Sequence, residues 1–340
     1  MNRRELAAMM ILLVIVVGLP VAALGYHLHL FPDRSGIRTI DIVAAAPERG
    51  GFQPDVIRVA AGEKVRLRFS VPDVTHGIAL GPGLGIDLGQ LDPGQVEEIE
   101  LAFEEPGRYA YYCNTWCSPS HWRMRGVIEV YDPANPGRLV SDSRPDPVIG
   151  ALAEQGVDID APHPASVIPA AVRPSATRGE AFSTRAEAPL PLEFDDAGWR
   201  RGHSPAEAHT LLSRELPALS EEEAWDIIAF HWLRDLTPER REWATEQYAK
   251  NCAACHGEAG AGTGPGIDAL LQQGLGRHGE EDGSAAFNDP KTMLGGTSNI
   301  YYAKIRRGGM GTGMPDFGPV FTEDETWMLA DYLWTFQFGE

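Results

Sequence analysis

At 340 residues with 43% hydrophobic side chains, the chain has material for about two to three compact domains. Its formal charge of −19, from 29 basic and 48 acidic residues, speaks against nucleic acid, whose phosphates demand a basic patch. The same charge favours a cationic redox partner drawn in by long-range attraction, with plain solubility as the competing explanation.

The chain opens on Met1-Asn2-Arg3-Arg4-Glu5, followed by an uncharged, strongly apolar run from Leu6 to Phe31. A membrane span needs roughly 20 apolar residues, so residues 1–32 are expected to form a single transmembrane helix. Arg3 and Arg4 place its N-terminus on the cytoplasmic side and everything after Pro32 outside. A cleaved signal peptide competes, since Val21-Ala22-Ala23 is small enough to be cut, but its apolar stretch is usually only about 7–15 residues.

Residues 33–133 alternate in short runs. Ile40–Val43, Val56–Val59, Val65–Phe69, Val96–Leu101, Tyr109–Tyr112 and Val127–Val130 read as strands, punctuated by Ala61-Gly62-Glu63 and Glu105-Pro106-Gly107. This spacing predicts an all-β greek-key sandwich. Within it lies Tyr111-Tyr112-Cys113-Asn114-Thr115-Trp116-Cys117-Ser118-Pro119-Ser120-His121-Trp122-Arg123-Met124. Thiolate and thioether ligands select copper, zinc or iron–sulfur, and a His and a Met beside them point to copper. One Cys serves a mononuclear copper site, whereas Cys113 and Cys117 together offer two thiolates able to bridge a pair. Asp73-Val74-Thr75-His76 supplies a further imidazole, with Asp73 placed to orient it. A Cys113–Cys117 disulfide is the bland alternative; it leaves His76, His121 and Met124 unexplained.

This pattern resembles the binuclear CuA site in the cupredoxin domain of subunit II of haem–copper oxidases and in nitrous-oxide reductases. The resemblance implies that Cys113 and Cys117 bridge both coppers, that His76 and Met124 complete one, and that His121 and the backbone carbonyl of Thr115 complete the other.

Residues 134–193, rich in Pro and Ala without a sustained period, are expected to be linker. A weak internal repeat follows. Phe194-Asp195-Asp196, Ser204 and Leu219-Ser220-Glu221-Glu222-Glu223-Ala224-Trp225 echo Phe287-Asn288-Asp289, Thr297 and Phe321-Thr322-Glu323-Asp324-Glu325-Thr326-Trp327, with nine residues lost between the two ends. Residues 194–236 therefore read as a degenerate, haem-free cytochrome c-like helical segment, against the alternative of two helices that merely share Glu-rich starts.

Cys252-Ala253-Ala254-Cys255-His256 is the attachment motif of c-type haem: two thiols bond the porphyrin and His256 becomes an iron ligand. A thioredoxin-like pair or half a zinc site competes, but no second Cys pair and no βαβ pattern lies nearby. A haem that only carries electrons takes a thioether on its other face, and Met310 and Met314 are available. Met314-Pro315-Asp316-Phe317, ahead of a Glu-rich helix start, resembles the Met loop of small bacterial cytochromes c, which implies Met314. Residues 237–340 are thus expected to be an all-α class I cytochrome c domain with one covalent haem.

No hydrolytic constellation, Walker loop or dinucleotide fingerprint is readable. The resemblance implies an electron-transfer subunit of a respiratory haem–copper oxidase in a bacterial cell membrane, with its redox domains on the periplasmic or extracellular side. Its implied partners are the catalytic membrane subunit I and an external donor, such as a soluble cytochrome or a quinol-oxidising complex. A CuA-type nitric oxide reductase of the same superfamily is the alternative. Nitrous-oxide reductase is excluded by the absence of blade-length repeats and clustered histidines, and a copper chaperone by the haem motif.

Overall fold

The computed structural model of the protein describes residues 36–137, 146–170, 172–183, 191–273, 277–278, 281–282, 284–309 and 313–340, together with residues 12 and 14–21. The expected membrane span falls largely outside the described residues, and no described helix is long and apolar enough to cross a membrane. Met310 also lies outside them.

Nine strands build the N-terminal domain: β1 Arg38–Ala44, β2 Phe52–Gln53, β3 Val56–Ala60, β4 Lys64–Ser70, β5 His76–Gly81, β6 Ile86–Leu91, β7 Val96–Ala102, β8 Gly107–Tyr112 and β9 Arg125–Tyr131. They pair as two sheets, β2-β1-β4-β7 and β3-β9-β8-β5-β6, with β1 parallel to β4 and β3 parallel to β9. The core between them follows from alternation. Val65, Leu67 and Phe69 point inward from β4 while Lys64 and Arg68 stay in water. Phe52, Phe69 and Tyr111 meet edge-on at its centre, with the Tyr111 hydroxyl donating to the Pro54 carbonyl at 2.5 Å. This is a cupredoxin-like sandwich.

Two strands break the alternation. All six residues of β5 are buried, as are Ala110, Tyr111 and Tyr112 of β8. Ile78, Leu80 and Tyr111 fill the sandwich, whereas Ala79, Ala110 and Tyr112 join the apolar core that holds Phe317, Val320 and Phe321. The outer face of the second sheet is therefore covered by the C-terminal helical domain. Their backbones nearly touch: a Cβ at Gly81 would lie 2.2 Å from the Val320 carbonyl oxygen.

The helices are α1 Pro147–Glu154, α2 Ala176–Ser183, α3 Ala197–Gly202, α4 Pro205–Glu215, α5 Glu221–Leu233, α6 Pro238–Asn251, α7 Ala253–His256, α8 Ile267–Gln272, α9 Pro290–Met293, α10 Ser298–Arg307 and α11 Glu323–Leu333. In the helical cytochrome c region Tyr248 of α6 meets Tyr332 of α11 at 5.5 Å, with Ala244 buried one turn earlier.

The stretch read as plain linker differs from that expectation. It carries α1 and α2 and lies strapped along the helical domain. Asp146 caps α1 and also receives the Tyr302 hydroxyl at 2.9 Å and Arg306. Arg307 pairs with Asp160 at 2.6 Å, Arg173 donates to the carbonyls of Thr335, Gln337 and Phe338, and Ser175 bridges to Gly339. These contacts are polar and far apart in sequence, so the absence of hydrophobic period in residues 134–193 did not announce them.

Residues 192–236 place a short 3-10 turn, α3, α4 and α5 in the same order as the C-terminal helices. Ser220 and Thr322 each start a helix with a reciprocal capping box, to Glu223 and Glu325. Ser204 and Thr297 cap α4 and α10. His209 stacks on Trp225 at 4.6 Å where Tyr302 stacks on Trp327 at 4.2 Å. Helix α2 adds a member in front: it crosses α5 at Gly179, whose added Cβ would lie 1.9 Å from the Asp226 carbonyl oxygen.

Candidate functional site

Strand β5 begins at His76 and β8 ends just before Cys113, so hydrogen bonding between these neighbours sets the two side by side. The loop from Cys113 returns through a 3-10 turn, His121–Arg123, and re-enters the sheet at Met124, whose carbonyl accepts from Cys113 N at 3.1 Å. Gly77 leaves room for it: a Cβ there would lie 2.0 Å from Asn114 Oδ1.

This packing brings the sequence-expected copper donors together. Donor atoms of His76, Cys113 and Cys117 lie within 4.8 Å of one another. His76 Nδ1 is 3.8 Å from Cys113 Sγ, the Thr115 carbonyl 3.1 Å from the same sulfur, and His121 Nδ1 3.5 Å from Cys117 Sγ. Met124 Sδ is 3.7 Å from Cys117 Sγ. Both cysteines are free thiols, so the pair is not spent on a disulfide. His76 is fully buried and its Nε2 meets Asp73 Oδ1 at 3.0 Å, which frees Nδ1 to face the sulfurs.

The electrostatics suit a cation. Burial alone would raise the Asp73 carboxyl, but the Ala46 amide, His76 and the Val74 amide bonded to it hold it below its usual range. Against burial, contacts with Cys113 and Asp73 raise His76. Hydrogen bonding from Cys117, with His121 and His76 adding to it, lowers Cys113 below the usual thiol range. Cys117, as the donor, is pushed up. A cation between the sulfurs would displace the Cys117 proton. Two thiols, two imidazoles, a thioether and a carbonyl converging on one buried spot fit copper.

The haem motif sits at the end of α6. Tyr248 donates to the Gly257 carbonyl at 2.7 Å and fixes the turn after α7. The His256 ring lies flat on Phe287 at 4.3 Å, and its Nδ1 donates to the Ala285 carbonyl at 3.2 Å, which fixes the ring's orientation. Burial pushes Cys252 up to about 12 and Cys255 up to about 11, so both are protonated thiols. The Met314 loop is pinned from behind, with Gly309 N donating to the Met314 carbonyl at 3.1 Å and Phe317 N to Ile305 at 2.9 Å. Met293, by contrast, is buried in the helical core.

One cleft joins the two sites. Cys113, Trp116, His121 and Met124 line one wall, and Cys252, Cys255, His256 and Met314 line the other. Two thiols, an imidazole and a thioether on that wall are the donor set of a covalently held haem. Trp116 stacks near His121 at 5.6 Å and reaches Gly266, where an added Cβ would lie 2.8 Å from the indole. Gly266 has ordinary helical torsions, so space, not backbone strain, favours glycine there.

Around the cleft, Lys250 Nζ pairs with Asp87 at 2.7 Å and Gln273 donates to the Pro119 carbonyl at 3.0 Å. Arg125 donates to the Asp316 carbonyl and stacks over Phe317 at 4.9 Å. Sequence reasoning found none of these four contacts. The available signal was the loss of alternation at Ala79, Ala110 and Tyr112, which marks a strand buried on both faces.

The cytochrome c family matches residues 244–337. Cytochrome c oxidase subunit 2 of Thermus thermophilus is 36% identical over 80 residues, covering 24% of this chain and 58% of the relative. The same protein from a named strain of that species is also 36% identical over 80 residues, covering 24% of this chain and 46% of the relative. The chain thus spans about half the length of the curated relatives it matches. Among solved structures, the periplasmic domain of cytochrome oxidase subunit II from Bradyrhizobium japonicum aligns at 21% identity and TM-score 0.24, covering 29% of this chain and 86% of that one. A haem–copper terminal oxidase dimer aligns at 20% and 0.25, covering 38% of this chain and all of that one. The chain is homologous to cytochrome c oxidase subunit II over part of its length and carries a cytochrome c domain at its C-terminal end.

Proposed function

We propose that the chain is the electron-transfer subunit of a respiratory haem–copper oxidase, taking electrons from an external donor and delivering them to a membrane catalytic subunit that reduces oxygen. The single observation that carries this reading is the cleft shared by two donor sets of different chemistry.

Cys252 and Cys255 hold the porphyrin, while His256 and Met314 ligate its iron. Cys113 and Cys117 would supply the two thiolates for a copper pair, with His76, Met124, His121 and the Thr115 carbonyl as its remaining donors. When bound, the haem and the copper pair would supply one-electron carriers. The protein's own work is positional. Asp73 fixes the His76 ring and the Ala285 carbonyl fixes His256. The sandwich buries His76, Cys113 and Met124 and leaves Thr115, Cys117 and His121 half-buried beneath the helical domain. Residues 1–32 anchor the chain by a single span, with both redox domains on the outer face of the membrane.

The intact oxidised chain, loaded with copper and haem, is expected to show a seven-line copper hyperfine pattern in electron paramagnetic resonance, the mark of one unpaired electron shared by two coppers. A four-line pattern, or fewer than two coppers per chain, would sink this reading.

A further inference from the structure

The geometry points to Arg125 as a positioning residue that clamps the Met314 loop against the copper loop, so that thioether ligation of the iron depends on the seating of the two domains. This deepens the proposed function and rests on its haem site.

Arg125 follows Met124 directly and opens β9 opposite Tyr112. Alternation along β9 turns Gly126, Ile128 and Val130 into the sandwich and leaves Arg125 on the outer face, where the helical domain lies. There its Nη1 donates to the Asp316 carbonyl and sits 3.3 Å from the Asp316 carboxylate, while its guanidinium plane covers the Phe317 ring. Asp316 and Phe317 come two and three residues after Met314.

The far side of the same loop is held by α10. The Gly308 backbone approaches so closely that an added Cβ would lie 2.7 Å from the Met314 carbonyl oxygen, and Gly318 N donates to the Arg306 carbonyl at 3.0 Å. The loop is therefore gripped on one side by its own domain and on the other by Arg125. That second grip starts at the residue next to the candidate copper ligand Met124, so it ties the two metal loops together. A planar guanidinium can donate and stack at once; an ammonium cannot.

The test uses the full chain with copper and haem bound. In the wild type, the thioether-to-iron charge-transfer band of ferric haem is expected; its absence would remove the haem reading itself, whatever Arg125 does. R125Q should bleach much of that band and slow haem-to-copper transfer after flash reduction by about tenfold or more, as small misplacements do. The copper hyperfine pattern should not change. R125K should fail like R125Q, because the charge returns without the stacked fork. F317L, which keeps both Asp316 contacts, should weaken the band in the same direction and serves if R125Q does not fold. An undiminished band in R125Q, or full recovery by R125K, overturns the clamp.

Discussion

Residues 192–236 and residues 286–336 are built alike and do different things. Both run from a short turn into a Ser- or Thr-capped helix and then into a helix opened by a capping box, and both stack a ring of the first helix on a tryptophan of the second. The second unit carries the Met314 loop between its helices; the first closes that gap with the shorter Leu216–Leu219 turn. Caps and stacking hold such a unit together, whereas the proposed haem ligands lie outside them, in the Met loop and the Cys-x2-Cys-His turn. The first unit, which no Cys-x2-Cys-His turn precedes, fills its interior with Phe194, Trp225, Trp232, His209 and His231. Burial lowers His231 to about 4, so it stays neutral there.

The comparison breaks most visibly on cofactor count. One covalent haem per chain is expected by haem absorbance against protein mass; two would mean that the first unit binds porphyrin after all.

The seam between the units comes next. Asp331 of α11 is buried with Oδ2 unpartnered among the described residues, and burial pushes its carboxyl up to about 7. Arg201 and Arg240 pull against that shift, Asp235 adds to it, and Arg200 opposes it weakly. Its folded pKa thus exceeds the unfolded value of about 4, so this site's stability is full below about pH 4 and is lost as pH rises through 7. Melting should fall between about pH 5 and pH 8 in the wild type. D331N should flatten that fall and gain stability at pH 8, on the order of 4 kcal/mol at most. A D331N melt that tracks the wild type at both pH values would remove Asp331 from the seam.

The smallest effect sharpens the likeness. S220A and T322A each remove one capping box and should cost about 1 kcal/mol, in α5 and α11 respectively. Hydrogen exchange of the first-turn amides separates the two; a loss in one helix without the other would show that the caps are not equivalent.

What was readable in the chain was short-range. Cys113, Cys117, His121 and Met124 fall on one loop, and Cys252, Cys255 and His256 on one turn, so ligand spacing could be judged before any fold was known. Five strands showed through their alternation, and β8 through its Tyr-rich run. Strands β5 and β6 did not: β5 is buried on both faces, and β6 mixes Gly and polar residues along an edge. The strap 146–175 was hidden for another reason: its polar contacts are single, and its apolar anchors, such as Leu152 and Ile159 against Ile300 and Ala303, follow no sustained period.

Local chemistry, then, was written in the order of residues, because bond-length spacing decides which donors can share one metal. The meeting of the two centres in one cleft was decided only by the folded chain. Lys250 finds Asp87 across 163 residues and Arg125 finds Asp316 across 191. Contacts at that separation depend on how whole domain faces pack, and apolar burial of Ala79, Ala110 and Tyr112 against Phe317, Val320 and Phe321 is what brings those faces together.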